Sequence, residues 1–403
     1  MAGENGGLIS GGYNPLEAPD APTSVSGTVG DQEIDIAFTA PSDVGGAAID
    51  TFIAVAVNTS TDESTAAEGA SSPITVSSLT NDVAHAISVY AKNTYGYSPA
   101  GTGDNVTPAL TPIGLFSGGQ SSGGSTDRIN KIIITTTGNA TDFGNLTSAV
   151  SRVAACGSSS RGLIGGGESS VNTIQYVTFE TTGNATDFGD LTLGRQALSS
   201  FSSNTRGVFA GGSATNTYSD VIDFVTIASA GNATDFGDLS QNGGGFGSCG
   251  FSSPTRGIIF AGNNSSNSAT NIIQYVTISS TGNSTDFGDA LSVLRNAGGA
   301  SSSTRGVVAG GAPGSGEQNV IQYITIASTG NSIDFGDLNQ SNAQLAGLSS
   351  SVRAVFGGGE GTSSQNAMEY ITIASTGNAT DFGDLTQNQW YLSGCSNSHG
   401  GLS

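Results

Sequence analysis

The sequence predicts an all-β chain built from two kinds of module, and three observations carry that expectation. Residues 17–108 hold short alternating apolar and polar runs broken by turn residues, the pattern of half-buried strands. Residues 113–403 are successive copies of one unit, with copy-to-copy spacings of 45–51 residues. The ends of that repeat region are complementary: the first copy lacks an opening strand, and the last is followed by an extra one.

The repeat is read most easily from its Asp-Phe-Gly triplet, which starts at Asp142, Asp187, Asp235, Asp286, Asp334 and Asp381. An Arg-Gly or Arg-Ala pair precedes most copies, at Arg161, Arg206, Arg256, Arg305 and Arg353; Ile113-Gly114 takes that place in the first copy. Each unit reads as four short strands. In the clearest copies these are strand a at Gln344–Ser351, strand b at Gly306–Gly311, strand c at Val320–Ser328 and strand d at Ile333–Leu338. Thr-Gly-Asn (Thr329–Asn331) turns c into d, and Ser-Ser-Ser-Thr (Ser301–Thr304) turns a into b. Glycine and asparagine tolerate positive φ, and hydroxyls bond turn amides. Strand c is apolar on both faces, with Ile321 and Tyr323 on one and Ile324 and Ile326 on the other, as a sheet covered on both sides requires. A helical reading fails because β-branched residues dominate and glycine recurs about every ten residues.

A four-stranded unit of this length matches the blade of a β-propeller, and six units predict six blades. If Trp390–Ser396 pairs beside Ile113–Gly119, the C-terminal strand closes the ring and no sheet edge stays open. The only tryptophan of the chain then sits at the seam.

Ahead of the repeats, residues 1–16 are Gly-rich and polar and read as a flexible or attachment tail. Residues 17–108 read as a β-sandwich with strands at Glu33–Thr39, Thr51–Val57, Ile74–Val76 and Ala86–Lys92. Residues 109–112 are a Pro-containing linker, which excludes helix there.

Three resemblances follow from these residues. Gly310-Gly311, then Tyr323 in strand c, then Phe335 in strand d, is similar to the kelch repeat. Phe stands where kelch has Trp, and Gly262-Asn263 replaces the double glycine in the fourth copy. The phrase TGNATDFGDL (Thr376–Leu385) resembles repeats in virion proteins of marine tailed phages of the cyanophage type. Residues 17–108 resemble a fibronectin type III domain. Pro19, Pro22, Phe38-Thr39-Ala40-Pro41, Gly45-Gly46, Ile49, Phe52, Leu79-Thr80-Asn81, Val89-Tyr90-Ala91-Lys92-Asn93, Gly96 and Ser98 carry that likeness. Phe38 takes the place of that family's Trp, and His85 that of its corner Tyr. Together these imply a fibronectin type III-like β-sandwich followed by a six-bladed kelch-like β-propeller closed by the C-terminal strand. They also imply a non-enzymatic structural protein on the surface of a tailed phage virion, in a tail, fibre or capsid decoration. The propeller would attach to a host-surface glycan or receptor, and the N-terminal region to other virion proteins; a homo-oligomer fits the same picture. The alternative is a secreted bacterial adhesin or lectin-like carbohydrate-binding protein.

Composition narrows the field. The formal charge is −21 with 11 Lys plus Arg, so a nucleic-acid or anionic-membrane partner is disfavoured. No apolar run reaches spanning length, and MAGENGGLISGG lacks the basic and apolar regions of a secretory signal. Cys156, Cys249 and Cys395 all fall in strand a and read as buried free thiols. With only His85 and His399 available, neither a metal site nor the copper centre of galactose oxidase, a kelch-type enzyme, has its ligands, and no cofactor is expected. The Asp-Phe-Gly triplets lack every companion of the kinase motif, and the Asp187/Asp190-type pairs supply too few ligands for calcium. No catalytic residue stands out.

Two candidate groups remain. Arg161, Arg206, Arg256, Arg305 and Arg353 would form a ring at one height, either a structural fork between blades or an anion-binding ring. The b–c and d–a loops differ from copy to copy while the opposite turns are nearly uniform, so recognition is expected on the loop face. Its candidates are Glu168, Asn172, Ser213, Tyr218, Asp220, Asn263, Asn264, Asn271, Glu317, Gln318, Asn319, Glu360 and Gln365.

Overall fold

A computed structural model describes residues 16–215, 217–240, 246–314, 316–361 and 365–402. The described residues form strands and turns, with no helix among them, so the chain is all-β as predicted. It divides into two compact units, Met1–Thr111 and Pro112–Ser403. Apart from Leu16, the predicted N-terminal tail lies outside the described residues.

The first unit contains two antiparallel sheets. Thr23–Gly30, Glu33–Thr39 and Ile74–Ser77 make one; Ser64–Gly69, Thr51–Asn58, His85–Asn93 and Gly96–Tyr97 make the other, with Gly101–Thr102 also on His85–Asn93. Burial alternates residue by residue along Thr51–Asn58 and His85–Asn93, the period-2 signature of a strand with one face on a core. Ile34, Ile36, Phe38, Phe52, Ala54, Ile74, Val76, Ile87 and Val89 from both sheets share that core. Phe38 stacks on Phe52 at 4.8 Å between centroids, and buried His85 directs Nδ1 to the Val83 carbonyl at 2.8 Å. The sequence reading missed Thr23–Gly30 and Ser64–Gly69, whose alternation is carried by Ser, Thr, Gly and Ala rather than by large apolar residues.

The second unit contains six four-stranded antiparallel sheets, each ordered a-b-c-d. The fifth is typical: Gly298–Ser301, Arg305–Ala309, Val320–Thr325 and Ile333–Asp337. The first sheet joins the two ends of the unit. Its strands b, c and d are Ile113–Ser117, Arg128–Ile133 and Thr141–Asn145, and its strand a is Ser393–Ser396, paired to strand b with Ser393 opposite Ser117 and Ser396 opposite Gly114. Six apolar clusters bridge successive sheets, and the sixth returns from the last to the first. It joins Leu348, Val355, Met368 and Phe382 to Phe116 and Ile132.

Two local features hold neighbouring sheets together. Strand d carries a bulge at the Phe of each Asp-Phe-Gly: Gln322 faces Asp334 while Ile321 faces Gly336, so Phe335 is the extra residue. In five of the six sheets the bulged Phe packs edge-on against the strand-c aromatic of its own sheet, with 6.0 Å between the centroids of Tyr323 and Phe335. The following glycine sits at φ +149° in Gly336, and a Cβ there would lie 2.4 Å from the Gly377 carbonyl oxygen of the next sheet. The Thr-Gly-Asn turn of that next sheet docks on this edge. Gly377 N–H donates to Phe335 O at 2.8 Å, Ala379 N–H to Asp337 O at 2.8 Å, and Asp337 N–H to Asn378 Oδ1 at 3.1 Å. The last sheet makes the same bonds to the first, through Gly138 N–H to Phe382 O and Asp384 N–H to Asn139 Oδ1.

The double glycine after strand b takes positive φ in both residues, 65° and 90° in Gly310 and Gly311. In the fourth sheet the equivalent pair is Ala261-Gly262, at 55° and 102°. This corrects the alignment read from sequence, which placed Gly262-Asn263 there; Ala261 adopts the left-handed conformation despite its Cβ.

Candidate functional site

The sheet cycle offers two faces and a centre. The face of the a–b and c–d turns is taken up by structure. Each repeat arginine stacks on the strand-c aromatic of its own sheet and donates to backbone carbonyls one sheet further on. Arg305 lies 4.4 Å from the Tyr323 ring and gives Nη1 hydrogen bonds to Ile373 O and Ala374 O. Arg161 reaches Ile227 O and Ala228 O, Arg206 Ile278 O, Arg256 Ile326 O, and Arg353 Ile134 O. The guanidinium groups therefore lie along the seams between sheets rather than around the axis.

The innermost strands surround the axis. They are Ala154–Gly157, Ser199–Ser202, Cys249–Ser252, Gly298–Ser301, Ala346–Ser349 and Ser393–Ser396. Their last residues form a hydroxyl ring that the sequence reading did not anticipate. Ser202, Ser252, Ser301, Ser349 and Ser396 each donate Oγ to the carbonyl of the preceding strand, on Gly157, Ser202, Ser252, Ser301 and Ser349. Five serines at the end of strand a were visible by comparing copies; only Gly157 breaks the set.

His399 lies beside that break. Its Nε2 lies 3.0 Å from the Gly157 carbonyl and 3.1 Å from Ser202 Oγ, while Nδ1 accepts the Gly401 N–H at 3.1 Å. An acceptor at Nδ1 leaves Nε2 as the N–H donor, so the ring is the neutral Nε2–H tautomer. Burial pushes its pKa down to about 4. Gly400 N–H donates to Ser301 O, so the segment around His399 crosses the ring and caps the channel at the turn face. Burial also pushes the thiols of Cys156 and Cys249 up to about 12 and that of Cys395 upward, which keeps all three protonated and unreactive.

A second unanticipated set lies in strand c. Asn130, Gln175, Asp223, Gln274, Gln322 and Glu369 are buried polar residues at one position of the repeat. Each accepts from the chain that follows a strand d: Thr147 N–H goes to Gln175 at 2.7 Å, Leu291 N–H to Gln322 at 3.0 Å and Asn339 N–H to Glu369 at 2.9 Å. In the third sheet Asp223 also pairs with Arg195 at 2.5 Å, both side chains fully buried, and Arg195 satisfies its charge further on Gly211 O and Val221 O. Burial raises the pKa of the Glu369 carboxyl.

The loop face differs from sheet to sheet, and not all of its predicted residues are free to bind. Ser213 and Asn263 are buried: Ser213 exchanges backbone bonds with Gln196, and Asn263 takes the Phe246 carbonyl and gives Nδ2 to Asn267 Oδ1. These two are corrected to structural positions; a polar loop residue beside a glycine turn reads the same in sequence whether it points in or out. Glu168 is half-buried and accepts from Ser151 and Ser125 at 2.8 and 3.0 Å, bonds that hold its carboxyl below the usual range. Asn264 caps its own turn through Oδ1, Gln318 gives Nε2 to Gly310 O, and Asn319 gives Nδ2 to Leu338 O. Gln365 donates its N–H to Gly359 O, Glu360 bridges Ala343, and Asn271 lies within the long strand Ala269–Thr277. Asn172, Asp220 and Glu317 are exposed. Tyr218 is half-buried, bonds Asn267 Oδ1 at 2.5 Å and meets the Phe246 ring edge-on.

Among the described residues, no cluster of His, Cys, Asp and Glu could hold a metal ion, and no helix is long and apolar enough to cross a membrane. No known protein-family model matches the chain, and no curated protein matches it.

Proposed function

We propose that the second unit is a six-bladed kelch-like β-propeller closed by the C-terminal strand, and that it acts as a recognition platform without enzymatic activity. The first unit is then a fibronectin type III-like spacer or docking module. The chain as a whole is a structural protein on the surface of a tailed phage virion, its N-terminal region held by other virion proteins and its loop face turned to a host-surface glycan or receptor.

One observation carries the binding reading: the two faces of the sheet cycle are used differently. On the turn face the repeated arginines, Thr-Gly-Asn turns and Asp-Phe-Gly bulges are engaged with the neighbouring sheet. On the loop face each sheet presents its own polar segment: Asn172 and Asp220 lend their carbonyls to the repeated bond from Leu191 and Leu239 N–H, while their exposed side chains, like that of Glu317, differ from sheet to sheet. The cyclic succession of core clusters supports closure, because closure removes the edges that would otherwise pair with another chain. The non-enzymatic reading is supported by the state of the usual reactive groups, with both histidines tied to backbone and all three thiols buried. The virion assignment rests on the likeness of the repeat phrase.

Mass spectrometry of purified virions tests that assignment. The chain is expected among the structural proteins at more than trace abundance. Its absence from particles, together with its recovery on a bacterial surface, would replace the virion assignment with the adhesin one.

A further inference from the structure

The centre of the loop face carries a rim that the repeat does not require chemically. Arg152, Ala197, Gly247, Asn296, Gln344 and Tyr391 occupy equivalent places just before the innermost strands. Their backbones form a closed cycle of six hydrogen bonds, each N–H donating to the carbonyl of the preceding rim residue, from Ala197 N–H to Arg152 O at 2.8 Å round to Arg152 N–H to Tyr391 O at 2.9 Å. All six have φ between 51° and 69°, and five of them are not glycine. Left-handed backbone at non-glycine residues is strained, and such strain concentrates at functional sites. The backbone of this rim is uniform while its side chains differ, so the ring fixes where the side chains start and leaves their chemistry free.

The rim opens on a cavity of about 70 Å³ whose wall is Val153, Leu198, Ser248, Ala297, Leu345 and Leu392. Below it lies a second cavity of about 100 Å³ along the innermost strands, and below that the space capped by His399. The guanidinium of Arg152 stands at the opening, 4.3 Å from the Tyr391 ring and 5.9 Å from the Phe246 ring. Its Nε is buried without a hydrogen-bond partner, and so is Gln344 Oε1. No carboxylate of the described residues pairs with it: the one ion pair among them is Arg195–Asp223. The acid that feels its charge, Glu168, is already engaged by Ser125 and Ser151. A guanidinium flanked by aromatic rings and two side-chain amides, with no carboxylate partner among the described residues, thus stands at this rim in a chain of net charge −21.

We infer that this rim is a binding site for the carboxylate-bearing terminal residue of an acidic saccharide. Arg152 forks the sugar carboxylate, and the amides of Asn296 and Gln344 bond its hydroxyls. The opening is far smaller than the several hundred Å³ of a pocket for a whole ligand, so it takes a chain end and leaves the remainder of the glycan on the surrounding loops. The inference rests on the reading of the loop face as a glycan-binding surface and names its anchor point.

The test titrates the full chain with methyl glucuronide and methyl glucoside, which differ by a carboxylate against a hydroxymethyl, followed by ligand-observed NMR or calorimetry. The glucuronide is expected to bind at least tenfold more tightly than the glucoside, and more weakly as salt is raised. Arg152→Gln is expected to lose tenfold or more, and Gln344→Glu, which puts a like charge on the rim, is expected to lose a similar factor; unchanged melting of both variants shows that the fold is kept. Equal affinity for the two sugars, no binding of the glucuronide at millimolar concentration, or indifference to both substitutions would overturn the site. Binding of neutral glycans by the full chain that Arg152→Gln leaves intact would retire this anchor while keeping the loop-face reading; absence of any glycan binding would remove both.

Discussion

His399 makes the stability of the second unit depend on pH in a calculable way. Its pKa falls from 6.5 in the unfolded chain to about 4 in the folded one, because burial disfavours the imidazolium and Nδ1 is needed as an acceptor for Gly401. Above pH 6.5 the ring is neutral in both states and the contact is intact. As pH falls below 6.5 the unfolded chain takes up a proton that the folded chain refuses, so stability is lost until the folded ring itself protonates near pH 4. The whole shift corresponds to about 3 kcal/mol, and the step from pH 7.5 to 4.5 to roughly 2–3 kcal/mol. His399→Gln keeps a donor for the Gly157 carbonyl but cannot titrate. Trp390, the only tryptophan, reports on this unit alone, so denaturant unfolding followed by its fluorescence isolates the effect from the first unit. Between pH 7.5 and 4.5 the wild type should lose about 2–3 kcal/mol more than His399→Gln. Parallel loss in both proteins would refute the capped-channel geometry, since an imidazole open to solvent carries no such penalty.

Other perturbations separate the parts of the scaffold. Gly336→Ala should destabilise by about 2 kcal/mol or more, since it adds strain at φ +149° and a clash with the Gly377 carbonyl, whereas Gly330→Ala, at φ +157° with open space around it, should cost clearly less; thermal melts of the two decide. Ser252→Ala leaves the Ser202 carbonyl without its hydroxyl donor and should cost about 1–2 kcal/mol in the same assay. Glu369→Gln should raise the melting temperature at pH 7 and lose that advantage in acid. The folded carboxyl holds its proton to higher pH than the unfolded one, so the native Glu weakens the fold as pH rises through that range, and glutamine already serves at this position in three other sheets. Deleting residues 388–403 removes the inner strand of the first sheet and should give aggregation or unfolding; a soluble truncation that melts cooperatively would contradict closure.

Much of this architecture was legible because the repeat exposes it. The Asp-Phe-Gly and Thr-Gly-Asn phrases mark a glycine that must take positive φ and a turn that must dock, and both constraints recur in every sheet. The complementary ends placed Ser393–Ser396 beside Ile113–Ser117 for the same reason. The hydroxyl ring and the strand-c polar set were just as periodic but passed unnoticed, since a serine among serines and a Gln within Ile-Gln-Tyr look like surface residues until burial is known. His399 could not be read at all: it occurs once, and its partner Gly157 lies 242 positions away. The loop face was legible as a face but not residue by residue, as Ser213 and Asn263 show. Nor does any spacing rule bring Arg152, Gln344 and Tyr391 to one rim; only the closed cycle does.

The division between a structural turn face and a recognising loop face is tested most directly by a bacterial-surface glycan array probed with the full chain. Three proteins should be compared: the wild type, a loop-face variant with Asp220 and Glu317 replaced by alanine and Arg152 by glutamine, and a turn-face variant with exposed Ser328 and Thr329 replaced by alanine. Binding that is kept by the turn-face variant and lost by the loop-face variant is the predicted result. Binding lost through the turn face, or retained after the loop face has been altered, would contradict the account.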